Sequence, residues 1–249
     1  MNPIKEIDIN CDMGEGMSND ADMMPFISSA NIACGYHAGN EKTLWDTIRL
    51  AKKNNVAIGA HVSFLDRANF GRTEIVLPAA AIYELVIQQL IIIREIADSF
   101  DMKLHHVKPH GALYNMAAKD AGMAKAIAEA VRDFDHSLIV YGLSNSLSIK
   151  EAEAAGLRVA NEAFADRAYL DDGSLAPRSQ KGALIGNAAS AMEQVLQIVQ
   201  KKTVTAQSGK EIPISADTIC IHGDNTQSTV FGRSIYEKLK QKQIVVKTL

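Results

Sequence analysis

The 249-residue sequence is poor in cysteine: only Cys11, Cys34 and Cys220 occur, and no two of them form a CxxC pair. That spacing argues against a structural zinc site built from cysteines. A small, odd number of cysteines is typical of proteins from a reducing compartment. The sequence also lacks a basic excess, since its net charge is -3. We therefore expect no nucleic-acid partner.

Long hydrophobic runs are absent as well. The most apolar stretch, residues 79–97, is interrupted by five polar or charged side chains, which are too many for a membrane span. The N-terminus has neither the basic start nor the apolar run of a signal peptide. We expect a cytoplasmic protein with no membrane partner.

Several nucleotide and hydrolase motifs are missing too. The sequence has no GxxxxGK[ST], no GxGxxG and no HExxH, and the stretch from Gly142 to Ser146 lacks the second glycine of a nucleophile elbow. Acid–base or metal-assisted hydrolysis by aspartate, glutamate and histidine remains as the natural chemistry.

The residues that are present alternate between short apolar runs and longer helical patterns. Strands are predicted over 6–11, 29–34, 56–60, 104–108, 138–142, 157–163 and 218–221. Helices are predicted over 41–54, 78–100, 117–134, 144–155, 181–201 and 228–241. This alternation predicts one α/β domain over 1–249, a seven-stranded β/α barrel similar to a TIM barrel, with an open doubly wound sheet as the alternative.

Polar residues follow six of the seven predicted strands, and parallel strands bring such residues to one mouth. Asp8, Asn10 and Asp12 alternate along the first strand, so they share its inward face and should meet a ligand, a metal ion or a polar network. Of the consecutive His105 and His106, at most one can point inward. A polar loop over 171–180 is either a binding loop or a surface excursion.

The remaining candidates are basic. His37, His61 and His110 each suit a metal ligand, a general acid or base, or a structural histidine. Lys108, in a Lys-Pro-His-Gly turn, could hold a carboxylate or phosphate, stabilise an oxyanion, or form a salt bridge with Asp12 or Glu162.

Six motifs, in order, carry a resemblance to a known family: DINCDMGEG, NIACGYHAGN, the Phe70-Gly71-Arg72 turn, VKPHGALYN, NEAFADRAY and CIHGDN. Together they resemble the LamB/YcsF family from Asp8 to Asp224. The resemblance implies a barrel akin to the glycoside hydrolase/deacetylase superfamily. It implies ATP-dependent hydrolysis of 5-oxoproline to L-glutamate, with separate 5-oxoprolinase subunits B and C. Two positions depart from the family pattern: Asn40 stands where aspartate is common, and Val62 where proline is common.

Residue chemistry assigns roles within this mouth. The predicted catalytic residues are Asp12, His37, His61, Lys108, His110 and Glu162. The predicted substrate-binding residues are Asp8, Asn10, Arg72, Tyr114 and Asp224. ATP with magnesium is the expected cofactor, and a divalent metal ion would use Asp12, His61 and His110. Two alternatives remain, a stand-alone metal-dependent amidase or deacetylase and a non-catalytic subunit that binds a lactam.

Overall fold

The computed structural model describes residues 6–222 and 228–249, in which short strands alternate with helices. The strands are β1 (Glu6–Met13), β2 (Ser29–Ala33), β3 (Ala57–His61), β4 (Leu104–Val107), β5 (Ile139–Leu143), β6 (Arg158–Phe164), β7 (Thr203–Thr205), β8 (Glu211–Pro213), β9 (Thr218–Ile221) and β10 (Val245–Val246). The helices are α1 (Asp20–Met23), α2 (Glu41–Asn54), α3 (Ala79–Asp98), α4 (Gly111–Ala117), α5 (Ala121–Phe134), α6 (Leu147–Ala154), α7 (Ala188–Lys201) and α8 (Ser228–Gln241).

Seven parallel strands close into a barrel. The sheet runs from β1 through β2, β3, β4, β5 and β6 to β9, and β9 pairs with β1 again. The closure lies between β1 and β9, where Asp8 is opposite Thr218. On its other side β1 pairs with β2, where Asn10 is opposite Ser29. The predicted barrel is confirmed, and the open doubly wound alternative is wrong.

The first strand shows how the sequence pattern sorts side chains between the barrel interior and the helix layer. Its apolar residues, Ile7, Ile9, Cys11 and Met13, belong to the same buried cluster as the apolar faces of the helices. The polar residues Asp8, Asn10 and Asp12 alternate with them and point the other way, as the two-residue period of a strand requires. All three are buried, so the barrel interior is polar at this strand.

Several element boundaries differ from the prediction. The helix predicted over 117–134 begins at Ala121, where Asp120 caps α5 by accepting a hydrogen bond from Met123 N at 3.0 Å, and the short helix α4 before it was missed. The helix predicted from residue 181 begins at Ala188, where Asn187 caps it by accepting from Ser190 N at 2.8 Å. Strands β7, β8 and β10 were missed, since two or three residues carry too little periodicity to register.

His106 is the inward member of the histidine pair, as expected. It is fully buried, its Nε2 lies 2.7 Å from Asn31 Oδ1, and its ring stacks on Tyr141 at 4.2 Å. His105 faces the other way, with Nε2 2.8 Å from the Leu249 carbonyl. A Cβ on Gly59 would lie only 2.2 Å from the His106 ring, so glycine in β3 makes room for this histidine.

Burial of His106 predicts a pH dependence of stability. Burial lowers the pKa of His106 well below its ordinary value of about 6.5. The side chain of His106 therefore binds a proton near pH 6.5 in the unfolded chain but not in the folded chain. As a result, the free energy of unfolding falls as pH drops below that value. We expect this residue to lower the free energy of unfolding by about 1.4 kcal/mol per pH unit below ~6. Urea unfolding at several pH values between 7.5 and 5 gives the free energy of unfolding as a function of pH. This free energy should fall less steeply with decreasing pH for His106→Asn than for the unaltered chain, and an equal fall would contradict the prediction.

None of the helices in the described segments combines the length and apolarity needed to cross a membrane.

Candidate active site

A cavity of about 410 Å³ opens at the carboxyl ends of the barrel strands. Six strands contribute a residue at or just beyond that end: Asp12, His61, Lys108, Leu143, Phe164 and His222. The volume falls in the range of small-molecule sites, which is ~300–1,000 Å³. The predicted convergence of strand ends therefore produces a cavity at this end of the barrel, as in other parallel α/β barrels.

The structure brings the six predicted catalytic residues together, and all six are buried. Four of them line the cavity, namely Asp12, His61, Lys108 and His110. The other two stand directly behind that lining. The His37 ring stacks on the His110 ring at 3.8 Å, and Glu162 Oε1 lies 2.8 Å from Lys108 Nζ.

Lys108 is the centre of one half of the site. Its Nζ donates to Asp12 Oδ1 at 2.9 Å and to Asn10 Oδ1 at 3.2 Å, besides pairing with Glu162. Burial opposes the charged form, but the carboxylates of Asp12 and Glu162 hold the pKa of Lys108 well above its ordinary value. The salt-bridge alternative for Lys108 is therefore realised with both predicted partners, and the ammonium ion remains on the cavity wall.

Asp12 joins the two halves of the site. Its Oδ1 accepts from Lys108 and from Asn31 Nδ2 at 2.8 Å, and its Oδ2 lies 3.3 Å from His61 Nε2. Burial would raise the pKa of this carboxyl group, but His61 and Lys108 hold it well below its ordinary value. Asp12 is thus an ionised carboxylate at the cavity wall.

Asp8 lies deeper in the barrel and does not line the cavity. Its carboxylate accepts hydrogen bonds from the hydroxyls of Ser28, Ser29, Thr218 and Tyr141, at distances of 2.6 to 3.0 Å. Burial raises the pKa of Asp8 in spite of these bonds. Contact of Asp8 with a substrate stays a prediction, whereas its position suits a structural anchor of the barrel interior.

Asn10 also has its polar atoms engaged within the barrel. Its Nδ2 donates to Thr218 Oγ1 at 2.7 Å, and its Oδ1 accepts from Asn31 Nδ2 at 2.7 Å as well as from Lys108. Asn10 therefore helps to position Lys108, and its role in substrate binding stays a prediction.

The other half of the site is a group of three histidines and Glu15. Glu15 Oε1 lies 3.1 Å from His37 Nε2, 3.5 Å from His110 Nδ1 and 3.9 Å from His61 Nε2. His110 Nδ1 lies 2.9 Å from His61 Nε2. Burial lowers the pKa of His37 to about 2 and that of His110 well below its ordinary value, so both rings are neutral. These four residues, here called the histidine–Glu15 cluster, could hold a metal ion.

In each ring of this cluster one nitrogen, here called the inner nitrogen, faces Glu15, and the other, the outer nitrogen, faces away from it. Each outer nitrogen has a hydrogen-bond acceptor. His61 Nδ1 donates to the Lys108 carbonyl at 2.9 Å, and His110 Nε2 donates to the Phe70 carbonyl at 2.9 Å. His37 Nδ1 lies 2.9 Å from Ser63 Oγ, whose own proton goes to the Phe64 carbonyl. The inner nitrogens of the three rings, His37 Nε2, His61 Nε2 and His110 Nδ1, therefore face Glu15 Oε1.

Two local features hold these acceptors in place. The one polar residue on the buried face of α3, Gln89, accepts from Ser63 N and donates to Ser63 O, both at 2.9 Å, and so fixes the loop after β3. In the Phe70-Gly71 turn, Gly71 has φ +66°, and a Cβ there would lie 2.9 Å from His37 Cβ and 3.0 Å from His110 Cδ2. Only glycine lets this turn approach the stacked histidines.

Across the cavity, His222 and Asp166 form a pair. His222 Nδ1 lies 2.8 Å from Asp166 Oδ1, and the His222 backbone N–H donates to Asp166 Oδ2 at 3.2 Å. Burial would raise the pKa of Asp166, but His222 lowers it below its ordinary value. With Nδ1 engaged, the imidazole has Nε2 for a ligand, and its ring stacks on Phe164 in the cavity wall.

The predicted substrate-binding residues Arg72 and Tyr114 both line the cavity. Burial, aided by the nearby Glu162 carboxylate, raises the pKa of Tyr114 well above its ordinary value. The loop after β6 supplies a wall of the cavity from Ser174 to Ser179, and its role in binding stays a prediction. Asp224, the fifth predicted residue, lies outside the described residues.

The two departures from the family pattern have structural roles. Asn40 is the N-cap of α2, and its Oδ1 accepts from Thr43 N at 3.0 Å. Val62 is fully buried, and its carbonyl accepts from His110 N at 2.8 Å. Neither residue lines the cavity, so neither substitution removes a group from it.

Sequence reasoning assigned no role to Glu15, Asp166 or His222. All three belong to polar stretches at strand ends, so the sequence pattern contained them. Their pairing depends on contacts between residues that are far apart in the chain, such as Asp166 and His222. No spacing rule in a single sequence identifies such pairs.

Nearly the whole chain is similar in sequence to a known protein family. The profile of the LamB/YcsF family matches residues 7–249. A protein of Staphylococcus haemolyticus (strain JCSC1435) that is named as the A subunit of 5-oxoprolinase is 48% identical over 248 residues, which cover 98% of this chain and 99% of that protein.

Solved structures agree with the fold. The lactam utilization protein from Thermus thermophilus superposes with a TM-score of 0.93 at 39% identity, over 98% of this chain and 100% of that one. A family 4 carbohydrate esterase from Streptomyces lividans shares the fold alone, with a TM-score of 0.54 at 9% identity, over 100% of this chain and 94% of that one.

Proposed function

Since the chain belongs to the LamB/YcsF family, we propose that it is the A subunit of an ATP-dependent 5-oxoprolinase that hydrolyses 5-oxoproline to L-glutamate. The observation that carries this proposal is the near full-length similarity to a relative with that name. The proposal includes partner subunits B and C, ATP with magnesium as cofactor, and a cytoplasmic location. The three buried free cysteines fit such a reducing compartment.

The charges of the cavity support a small anionic substrate. Among the described residues, five cationic side chains line it, Arg72, Lys108, Lys119, Arg167 and Arg178, against two carboxylates, Asp12 and Glu74. A lactam that carries a carboxylate, and a phosphoryl group during the reaction, matches this excess of positive charge. Arg72, at the rim, suits the substrate carboxylate, as the sequence predicted.

The proposed reaction begins by activating the lactam. Transfer of the terminal phosphoryl group of ATP to the lactam oxygen leaves ADP and makes the ring carbon electrophilic. Water adds to that carbon and gives up a proton, the carbon–nitrogen bond breaks, and the ring nitrogen takes up a proton. The product is an acyl phosphate, which a second water converts to glutamate and phosphate.

Residues of this chain supply the proton transfers in this proposal. Asp12, an ionised carboxylate on the cavity wall, is positioned to accept the proton from the attacking water. Lys108 holds Asp12 in place and stabilises negative charge that develops on the substrate oxygens. His222, oriented by Asp166, is positioned to protonate the ring nitrogen.

The test is glutamate release from 5-oxoproline by this chain alone and with its B and C partners, each with and without ATP. We expect release only when both the partners and ATP are present. Absence of release from folded, assembled protein under all conditions would overturn the proposal.

A second candidate function has one specific observation in its favour. The histidine–Glu15 cluster has donors suited to a metal ion, so a stand-alone metal-dependent amidase or deacetylase is the main rival. Hydrolysis of an amide by the chain alone, without ATP, would favour this rival. Tight binding of 5-oxoproline without turnover in the full complex would favour the non-catalytic alternative.

A further inference from the structure

We propose that Glu15, His37, His61 and His110 form a binding site for one divalent transition-metal ion of the zinc type. The proposal concerns ion binding by the chain itself and holds whichever substrate the cavity takes. It departs from the set expected from sequence, in which Asp12 was a ligand with His61 and His110. Asp12 lies beside the cluster, and its Oδ1 is held by Lys108 and Asn31.

The first argument is the convergence of donor atoms. One oxygen of Glu15 and one nitrogen from each of the three histidines lie within 4.8 Å of one another. All four side chains are buried, so bulk water does not separate them. Three imidazole nitrogens and one carboxylate oxygen are a common donor set for zinc and its neighbours in the transition series.

The second argument is the orientation of the three rings by their outer hydrogen bonds. His61 and His110 give their outer N–H groups to backbone carbonyls, and His37 gives its outer N–H to a serine hydroxyl. Histidines that ligate metals are oriented by such outer hydrogen bonds in almost every case. In neutral rings, the His61 and His110 nitrogens, 2.9 Å apart, would present lone pairs to each other. Either a cation or a shared proton must lie between them.

The third argument is charge. The buried carboxylates of Glu15 and Asp12 face the inner nitrogens of the histidines, at 3.1 Å from His37 Nε2 and 3.3 Å from His61 Nε2. Negative charge beside imidazole lone pairs attracts a cation, and the attraction is strong where water is excluded. A divalent ion carries twice the charge of a single shared proton and can contact all four donors at once. The local electrostatics therefore favour the ion.

A second group of potential ligands, Asp12, Cys220 and His222, does not fit an ion equally well. The Lys108 ammonium lies 3.1 Å from Cys220 Sγ and 2.9 Å from Asp12 Oδ1, so a positive charge already occupies that position. Burial also raises the pKa of the Cys220 thiol well above its ordinary value, which disfavours the thiolate that binds metals. The proposal is therefore specific to the histidine–Glu15 cluster.

When bound, such an ion would supply Lewis acidity at the cavity, since His61 and His110 line its wall. The remaining contribution belongs to the chain: Ser63, held by Gln89, orients His37, and the Phe70-Gly71 turn orients His110.

The test uses the purified full-length chain, stripped with a chelator and then titrated with Zn²⁺ against a chromophoric competitor. Elemental analysis after removal of excess ion gives the stoichiometry. We expect one Zn²⁺ per chain and no comparable binding of Mg²⁺, which prefers oxygen ligands. Co²⁺ should bind at the same position and give the visible absorption of a tetrahedral, nitrogen-rich site.

Variants locate the ion. His37→Ala and Glu15→Gln should weaken Zn²⁺ binding by more than about 100-fold, because loss of an outer-shell partner alone costs about 10–100-fold. Ser63→Ala, which removes only the acceptor for His37, should weaken it by about 10-fold. His136→Ala is the matched control, since His136 is exposed and lies outside the cluster, and it should bind as the unaltered chain does.

Circular dichroism of each variant confirms that it folds, and Glu15→Gln keeps the side-chain shape should His37→Ala fail to fold. Substoichiometric binding by the unaltered chain would overturn the proposal and assign a shared proton to the cluster. Binding by folded Glu15→Gln that equals that of the unaltered chain would overturn it too. Both results are read from ion binding alone, so they are independent of glutamate release.

Discussion

Asp12→Asn should lower kcat for glutamate release in the complete complex by about 10³-fold, within the range of losses for a general base. The asparagine side chain would keep the shape and could still accept from Lys108, but it cannot take a proton from water. Lys108 would retain Glu162 as a partner, so we expect the chain to stay folded. The expected change is in kcat, with little change in KM, because Asp12 acts on the water that attacks the substrate.

Glu74→Gln is the matched control for this variant. Glu74 lines the same cavity but is exposed, and its substitution removes one negative charge without touching Lys108 or His61. Its kcat should stay close to that of the unaltered chain. A folded Asp12→Asn chain with full activity would remove Asp12 from the mechanism, and an equal loss in both variants would point to cavity charge in general.

Much of the fold follows from local sequence patterns. The period of two along β1 places its polar residues in the barrel interior, and the same period separates His105 from His106. Short apolar runs between helices predict parallel strands, and their polar ends predict where a site forms. A local rule also accounts for the start of α5 at Ala121, because an aspartate just before the first helical residue is a typical N-cap.

The site was less predictable, because its contacts join distant parts of the chain. Glu15 meets His110 across 95 positions of sequence, a pairing that depends on barrel closure and on the glycine turn at Gly71. In the sequence, Gln89 is a polar residue that interrupts the apolar face of a predicted helix. In the structure its side chain forms two hydrogen bonds with the backbone of Ser63 and holds the loop that carries it in place. Which histidine nitrogen faces the cavity depends on the acceptor behind it, and a single sequence does not specify that acceptor.

The pair of His222 and Asp166, which sequence reasoning left without a role, carries the second large expected effect. His222→Gln should lower kcat of the complete complex by about 10³-fold and Asp166→Asn by about 10²-fold, with KM little changed. An amine leaves a tetrahedral carbon poorly unless its nitrogen is protonated, so loss of the proton donor slows ring opening. Asp166 acts through His222, because its carboxylate contacts Nδ1 and so orients the ring.

Because the two residues act as one unit, their effects should not add. The variant with both substitutions should be no slower than His222→Gln alone, since Asp166 has nothing left to orient. Independent structural roles would instead multiply the two losses, to about 10⁵-fold. His105→Gln is the control, because His105 contacts the Leu249 carbonyl and does not line the cavity, so its kcat should be unchanged. Multiplied losses in folded proteins would exclude a shared proton-transfer role, and the proton for the ring nitrogen would then have to come from another group at the mouth.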